Sequence, residues 1–273
     1  MEVLACTGGK GGTGKSTFAI LLSYKLIEEG KKVVLCDLDV ECPNDFLLLK
    51  EELKNPKFLY QEFPKLNKEK CKKCGTCAKV CRSNAVFWVK NNYPIFIKEL
   101  CSACGACWLV CPFKAIEKEE EKVGEVFFNQ VQENFWLVTG RSYTKISETG
   151  PIVKEAKQKC FEFAKKVKAD IMIIDTAAGT HCNVIHALMN VDKAYCITEP
   201  TPLGAYDLKL ILELIKKLGV KAEIVLNKAG IGNEKLIEEI GKTYGIKVGY
   251  RIPYSKEIIE AYSKGKLKEI KVI

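Results

Sequence analysis

The chain has 273 residues, 47 % of them hydrophobic and 28 % charged, proportions that exclude an intrinsically disordered protein. It contains no apolar run near the roughly 20 residues of a membrane span, and the N-terminus lacks the basic segment of a secretory signal. We therefore expect a cytoplasmic protein without a membrane partner. The formal net charge of +9 would favour nucleic acid only if the basic residues were massed together. They are spread along the chain, so we do not expect nucleic acid as a partner.

Cysteine is the most informative residue type, since the chain has fourteen cysteines and two histidines. In a reducing compartment this many thiols indicate metal or redox chemistry rather than disulfides. Zinc-hydrolase sites that need several histidines are excluded by the same count.

Strands and helices are predicted to alternate along most of the chain. The predicted strands are apolar runs at Val3–Cys6, Val33–Cys36, Ile171–Ile174, Ala194–Thr198, Glu223–Leu226 and Val248–Ile252. The predicted helices each end at a glycine and cover Thr17–Glu29, Leu208–Leu218 and Glu234–Tyr244. Such alternation is typical of an α/β domain with a mostly parallel sheet.

The strand series stops near residue 50 and resumes near residue 120, which indicates a small inserted domain. The charged segments Lys65–Lys70 and Glu117–Lys122 are interpreted as its joints. Gly124–Val138 alternates as a β-hairpin would, with a bend near Asn129 and Asn134, and Thr139–Pro151 is predicted as a loop.

A phosphate-binding loop follows the first predicted strand. The pattern of Gly, four residues and Gly-Lys-Ser is carried by Gly9, Lys10, Gly11, Gly12, Thr13, Gly14, Lys15 and Ser16. Glycines let successive N–H groups surround a β-phosphate at the positive end of the following helix. Lys15 would reach the β- and γ-phosphates, Ser16 would bind Mg²⁺, and Thr17 can reach the α-phosphate.

The interrupted region contains an exact repeat. Cys71, Cys74, Cys77 and Cys81 recur thirty residues later as Cys101, Cys104, Cys107 and Cys111, and Pro112 follows the second copy. C-x₂-C-x₂-C-x₃-C is the bacterial ferredoxin pattern. Zinc sites prefer cysteine pairs separated by a longer span, which makes zinc the weaker alternative.

Other motifs lie where predicted strands end. Asp37 and Asp39 close the second strand, and Ile173–Gly179 has the Walker B form, an apolar strand that ends in the carboxylate of Asp175. Later strands end in Leu226–Lys228 and in Arg251–Tyr254.

With these motifs the chain resembles the MinD/ParA/Mrp branch of P-loop ATPases, which carries a deviant Walker A motif and includes the nitrogenase iron protein. The resemblance implies a mostly parallel α/β P-loop NTPase domain at residues 1–65 and 119–273. It also implies an inserted, small α+β ferredoxin-like domain at residues 66–118. ATP, Mg²⁺ and two [4Fe–4S] clusters are the implied cofactors, and a homodimer is the implied assembly.

The resemblance also assigns roles. Lys10 would reach across the homodimer to the partner's nucleotide, Asp39 would position the attacking water, and Asp37 would support the Mg²⁺ shell with Ser16. Asp175 completes the implied catalytic set of Lys10, Lys15, Asp39 and Asp175. Gly179 would offer its N–H to the γ-phosphate, Asn227 would bind adenine, and Pro253 lies in the loop that closes over the base. Ala177 and Ala178 depart from the prolines of many relatives.

In ferredoxins the fourth cysteine of each motif binds the other cluster. By resemblance, one [4Fe–4S] cluster takes Cys71, Cys74, Cys77 and Cys111, and the second takes Cys81, Cys101, Cys104 and Cys107.

Six cysteines lie outside the repeat. Four of them fall in strands or helices and are interpreted as buried apolar residues, namely Cys6, Cys36, Cys160 and Cys196. Cys42 does not belong to this set. Cys182 lies near switch II, where the nitrogenase iron protein has a ligand of its bridging cluster. Both a free thiol and an extra metal site remain open for Cys182.

Three functions compete. The first is an ATPase that couples its nucleotide state to electron transfer through the two clusters, with a redox partner protein. The second is an Mrp-type carrier that assembles or delivers a metal or iron–sulfur centre to an accepting protein. The third, a MinD/ParA-like positioning ATPase, leaves the cysteine repeat unexplained.

Overall fold

The structure is a computed structural model that describes residues 1–143, 146 and 148–273. The following list gives the strands and α-helices in chain order: β1 (Glu2–Thr7), α1 (Lys15–Glu28), β2 (Val33–Leu38), α2 (Asp45–Leu48), β3 (Lys57–Leu66), α3 (Thr76–Val80), β4 (Val86–Phe87), β5 (Ile95–Phe96), α4 (Ala106–Leu109), β6 (Ile116–Gln132), β7 (Phe135–Ser142), α5 (Gly150–Lys166), β8 (Ile171–Thr176), α6 (Cys182–Leu188), β9 (Lys193–Thr198), α7 (Pro202–Leu218), β10 (Lys221–Ala229), α8 (Glu234–Tyr244), β11 (Val248–Pro253) and α9 (Lys256–Ser263).

The main sheet has the strand order β11-β10-β9-β1-β8-β2-β7-β6-β3. From β11 to β7 every neighbouring pair is parallel, whereas β6 is antiparallel to both β7 and β3. The predicted α/β fold with a mostly parallel sheet is therefore confirmed. The carboxyl ends of β1, β2, β8, β9 and β10 meet along one edge, and this edge holds the candidate site.

The centre of the sheet is covered on both faces. Every residue of β2 is buried, with Val34 and Cys36 in one hydrophobic core and Val33 and Leu35 in the other. Strands buried on both faces are continuous apolar runs, which is why the sequence predicted them well. Helix α7 begins at Pro202 rather than at the predicted Leu208, because Thr201 caps it by accepting the N–H of Gly204 at 3.0 Å.

A two-stranded ribbon extends the sheet beyond its parallel part. Strand β3 pairs with the first half of β6 from Lys57 opposite Val126 to Leu66 opposite Ile116. The charged segments that were interpreted as joints are strands in part, since Glu117–Lys122 lies in β6 and the start of Lys65–Lys70 belongs to β3. The charged side chains of the ribbon make cross-strand ion pairs, such as Lys65–Glu119 at 2.6 Å. In the sequence alone, the same run of charged residues looks like a linker.

The predicted hairpin at 124–138 is confirmed as β6 and β7, with the bend at Asn134 (φ 59°). Asn129, in contrast, lies within β6. The predicted loop at 139–151 is wrong at both ends, because β7 runs to Ser142 and α5 begins at Gly150. Residues 144, 145 and 147 of that stretch lie outside the described residues.

Residues 67–115, which we call the insert, project from the end of the ribbon. They form α3, α4 and the antiparallel pair β4–β5 around a small core of Cys77, Val86, Cys107 and Ile116. In the described ranges, no helix of the chain combines the length and the apolar character needed to cross a membrane.

Candidate functional site

The predicted phosphate loop connects β1 to α1. Gly12 (φ 76°) and Gly14 (φ 95°) both adopt the left-handed conformation that glycine tolerates best. Gly14 is the residue immediately before α1, so the loop ends at the positive end of a 14-residue helix. This is the backbone arrangement that the motif predicts for binding phosphate.

A cavity of about 460 Å³ lies beside this loop, large enough for a nucleotide-sized ligand. Several predicted site residues line it together: Gly11, Gly12, Gly14, Lys15, Ser16, Thr17, Asp39, Asn227 and Pro253. Others lie outside its lining: Gly9, Lys10, Thr13, Asp37, Asp175 and Gly179. Tyr254 and Tyr262 form part of the wall beyond Pro253.

Three buried carboxylates meet beneath the loop. One oxygen from each of Asp37, Asp45 and Asp175 lies within 4.8 Å of the other two. Asp37 accepts the N–H groups of Asn44 (2.8 Å) and Asp45 (3.0 Å), and the Ser16 hydroxyl donates to Asp175 at 2.6 Å. Among the described residues neither carboxylate oxygen of Asp45 has a hydrogen-bond partner.

Burial dominates the electrostatics of this carboxylate cluster. It raises the pKa of Asp37 and Asp45 well above the ordinary value and the pKa of Asp175 to about 7. A divalent cation bound by oxygen ligands would relieve the repulsion, so the donor set fits Mg²⁺. Ser16, Asp37 and Asp175 were predicted here, whereas Asp45 was missed because it starts a four-residue helix with no motif.

Replacing Asp45 by asparagine is expected to stabilise the chain in the absence of Mg²⁺. Carboxyls whose pKa is raised by folding make the folded state bind more protons, so each stabilises the fold at low pH and that contribution is lost as pH rises through its raised pKa, which for Asp175 is about 7. At pH 8 we expect Asp45→Asn to raise the melting temperature by about 3 °C and to reduce the gain from Mg²⁺. Thermal melts with and without Mg²⁺ measure both effects. The exposed Glu239→Gln serves as the control, and a lower melting temperature for Asp45→Asn at pH 8 would contradict this account.

Lys10 is paired with a residue of its own chain. Its ammonium group is paired with one carboxylate oxygen of Glu199, and Lys228 pairs with the other at 2.8 Å. Burial works to raise the pKa of Glu199, but the hydrogen bonds from both lysines outweigh it and hold the pKa below its ordinary value. Lys228 also donates to the Gly12 carbonyl at 3.2 Å. Glu199 and Lys228 were missed because only the ends of β9 and β10 bring them to the loop.

Asn227 and Gly179 are both hydrogen-bonded to the loop segment. The Asn227 amide donates to the Thr13 carbonyl at 2.7 Å, which fixes its orientation in the cavity wall. The N–H of Gly179, predicted to meet a γ-phosphate, donates to the Gly8 carbonyl at 3.1 Å. The Gly179 N–H could therefore bind a γ-phosphate only after its hydrogen bond to the Gly8 carbonyl is broken.

Asp39 borders the cavity just beyond β2. Its N–H donates to Asp37 at 3.2 Å, and burial raises the pKa of its carboxyl. The next residues are bonded to the end of the neighbouring strand β7 and to the residue before α5: the Val40 carbonyl accepts the N–H of Ser142 at 2.7 Å, and Glu41 accepts the Thr149 hydroxyl at 2.7 Å. The segment after β2 is therefore attached to β7 and to the start of α5.

The two cysteine motifs have the same backbone geometry. Positive φ angles occur at equivalent residues thirty positions apart, namely Lys73 and Ala103, Gly75 and Gly105, and Asn84 and Lys114. Burial repeats as well, since the third cysteine of each motif is buried and the second is exposed. Each first cysteine accepts a backbone N–H two residues later, at 3.4 Å in both motifs. The repeat in sequence is thus a repeat in conformation.

Each motif contributes its fourth cysteine to the other motif's group. One cavity is lined by Cys71, Cys74, Cys77 and Cys111. In the second group burial chiefly raises the pKa of Cys101, and the nearby thiols of Cys81 and Cys104 raise it further. These are the two cysteine sets that the ferredoxin pattern implies.

The donor chemistry of the insert fits iron–sulfur clusters. All fourteen cysteines lie in the described part of the chain and are free thiols there, so four soft sulfur ligands are available to each group. The indole N–H of Trp88, which packs against Gly75 between Cys74 and Cys77, is buried and has no partner among the described residues.

Outside the motifs, four cysteines are fully buried: Cys6, Cys36, Cys160 and Cys196. Their interpretation as small apolar core residues is confirmed. Cys182 is exposed at the first position of α6, close to Gly150, which starts α5. Among the described residues, no second cysteine lies in the stretch between β7 and α5 to form a pair of ligands with it.

Comparison with known proteins assigns the family. Residues 4–268 match the family model of the CobQ/CobB/MinD/ParA nucleotide binding domain. The chain is 37 % identical over 268 residues to the uncharacterized protein MJ0579 of Methanocaldococcus jannaschii, covering 97 % of this chain and 90 % of that protein. The chain therefore belongs to the CobQ/CobB/MinD/ParA nucleotide-binding domain family.

Solved structures agree on the fold. The cell division ATPase MinD of Pyrococcus furiosus superposes with a TM-score of 0.59 at 18 % identity, covering 98 % of this chain and 89 % of MinD. The septum site-determining protein MinD of Pyrococcus horikoshii, solved with Mg-ADP, gives 0.59 at 19 % identity, covering 99 % and 90 %.

Proposed function

We propose that this protein is a Mg²⁺-dependent ATPase that works as a homodimer and couples its nucleotide state to electron transfer through two [4Fe–4S] clusters. The observation that carries the proposal is that one continuous sheet joins a phosphate-loop cavity to eight thiols arranged as two groups of four. The proposed domain division is residues 1–65 and 119–273 for the ATPase and 66–118 for a ferredoxin-like domain, which consists of the insert and the adjoining end of the ribbon.

The nucleotide-binding part of the proposal rests on the phosphate loop and the residues around it. MinD of Pyrococcus horikoshii, a family member with this fold, was solved with Mg-ADP, which supports a Mg-nucleotide here. Backbone N–H groups of the loop and Lys15 would hold the phosphates, and Ser16 with the buried carboxylates would hold Mg²⁺. Asp39 borders the same cavity and would orient the attacking water. Asn227 and Pro253 would hold the adenine.

The electron-transfer part of the proposal rests on the cysteines of the insert. Cys71, Cys74, Cys77 and Cys111 would hold one cluster, and Cys81, Cys101, Cys104 and Cys107 the other. Such clusters, when bound, accept and donate single electrons. The insert supplies the thiolates, N–H donors to the sulfur atoms, and a small apolar core that limits access of water.

A continuous hydrogen-bonded path connects the phosphate-loop cavity to the insert. The segment after Asp39 is bonded to Ser142 at the end of β7, and the N–H of Tyr143 donates to the Val123 carbonyl of β6 at 2.9 Å. Strand β6 continues directly into the ribbon that carries the insert. A shift of Asp39 on nucleotide binding would therefore act on the ribbon through two strands.

An Mrp-type carrier of a metal or iron–sulfur centre is the second candidate. The exposed Cys182 at the start of α6 favours it, since a thiol there in both protomers of a dimer would be accessible to cargo. A relation to the nitrogenase iron protein, which bridges its dimer near this position, belongs to the same hypothesis.

Iron content separates these functions. Anaerobically reconstituted chain is expected to hold about eight irons and eight sulfides and to hydrolyse ATP only with Mg²⁺. If instead additional chelator-labile iron is bound and Cys182→Ala removes it, the carrier function is favoured. A preparation that holds zinc, or no metal at all after reconstitution, would contradict both.

A further inference from the structure

The insert carries most of the net charge of the chain. Residues 67–115 contain nine Lys and Arg against two Glu, a formal charge of +7 out of the chain's +9. The basic residues themselves are spread along the chain, as expected, and the insert is positive because only two of the 34 acidic residues lie in it. Two bound clusters would offset about four of these charges and leave the insert basic.

Four lysines surround one edge of the first cysteine group. Lys68 and Lys73 lie over the ring of Tyr93, at 5.8 and 4.5 Å from its centre, and Lys72 lines the same cavity as Cys74. The pKa of Cys74 is held below its ordinary value by its hydrogen bond with Thr76 and also by the charge of Lys79. We call Lys68, Lys72, Lys73 and Lys79, with the exposed edge at Cys74, the basic face.

These charges are poorly neutralised. Glu69 is the only carboxylate in residues 67–85, and it is exposed. Over the described residues, Lys72 and Lys79 have no carboxylate within ion-pair distance, although Lys70 pairs with Glu117 at 3.2 Å. The basic face thus presents uncompensated positive charge around a thiol at the surface.

The cysteine group beside the basic face lies farther from the main hydrophobic core than the second group does. Cys101 and Ala103 of the second motif pack against the main hydrophobic core, and Lys98 lies over the Phe63 ring of the ribbon at 5.1 Å. The first motif instead follows the tip of the ribbon, where Leu66 pairs with Ile116. The group that contains Cys74 is therefore the outer of the two.

We propose that the basic face is the docking surface for an acidic one-electron carrier protein, one whose own redox group is surrounded by carboxylates. The proposal rests on the proposed function, since it assumes that Cys71, Cys74, Cys77 and Cys111 hold a cluster. Charge complementarity would bring the carrier to the edge of the outer cysteine group, where the Cys74 thiol is exposed.

The surroundings favour a protein over nucleic acid. Phe87 and Ile95 of the insert are more than half exposed, at 57 and 59 %, and Phe113 lines the cavity of the first group. A basic rim with exposed apolar side chains is typical of a protein interface, whereas a phosphate backbone is met mainly by polar groups.

The test is the affinity of the full-length reconstituted chain for an acidic plant-type [2Fe–2S] ferredoxin, measured anaerobically by calorimetry at low salt. The variant Lys72→Glu/Lys79→Glu reverses two exposed charges of the basic face. The matched control Lys235→Glu/Lys242→Glu reverses two exposed charges on α8, at the opposite edge of the sheet. We expect at least about tenfold weaker binding for the first variant, less than twofold for the control, and loss of wild-type binding in high salt.

Equal weakening by both variants, or no binding of the acidic ferredoxin to wild type, would overturn the docking proposal. So would tighter binding of duplex DNA that Lys72→Glu/Lys79→Glu abolishes. Iron content is measured on every preparation. About eight irons without ferredoxin binding refutes the docking surface alone, whereas absence of iron refutes the proposed function and the docking surface with it.

Discussion

Replacing Cys77 and Cys111 together by serine is expected to remove one [4Fe–4S] cluster and to leave about four irons per chain. The two residues belong to different motifs, yet they line the same cavity. Replacing Cys107 and Cys111, which belong to one motif, is expected to remove both clusters and leave almost no iron. The reason is geometric, because the fourth cysteine of each motif lies with the first three of the other.

Iron and sulfide analysis of reconstituted protein measures this difference. Replacing Cys81 and Cys101 tests the second group in the same way and is expected to leave about four irons. The exposed Cys42→Ser, outside both motifs, controls for the loss of a surface thiol and is expected to leave about eight. The pairing would be wrong if Cys107→Ser/Cys111→Ser kept half of the iron while Cys77→Ser/Cys111→Ser lost all of it.

Lys10→Ala is expected to lower ATP turnover by at least about a hundredfold while leaving nucleotide binding nearly unchanged. In the monomer Lys10 is bonded to Glu199 and lies outside the lining of its own cavity. Its charge can therefore stabilise the transition state only after it leaves Glu199 for the cavity of the partner. Lys228 would remain to neutralise Glu199.

Mixed dimers test whether Lys10 acts across the interface. Asp39→Ala is expected to be inactive because it cannot orient water, but its Lys10 is intact. Mixing it with Lys10→Ala should restore part of the turnover, because the Lys10→Ala cavity then receives the partner's lysine. Full activity of Lys10→Ala alone, or no recovery in the mixture, would contradict this role.

The features predicted best from the sequence are those whose residues lie close together along the chain. The phosphate loop, Asp37, Asp175 and the cysteine motifs are local patterns, so their residues could be identified without knowing the fold. Asp45 and Glu199 belong to no motif, and Lys228 closes the Leu226–Lys228 motif without a predicted role; only the shared edge of the parallel strands brings them to the loop. No local pattern contains that information.

The ribbon was missed for a different reason. The first half of β6 is a run of Glu and Lys that is mostly exposed, and the same composition is typical of a linker. Only pairing with β3 makes it a strand, and that pairing is a long-range property of the fold. The insert was therefore predicted, but its connection to the Asp39 segment was not.

The coupling of nucleotide state to the clusters is the central claim, and a redox titration followed by EPR tests it most directly. Reconstituted chain is titrated without nucleotide, with MgADP and with MgATP, and Lys15→Ala serves as the control that cannot hold the phosphates. We predict that MgATP shifts the midpoint potential of at least one cluster in wild type and leaves Lys15→Ala unchanged. Identical potentials in all three states of the wild type, with both clusters present and ATP bound, would contradict the account.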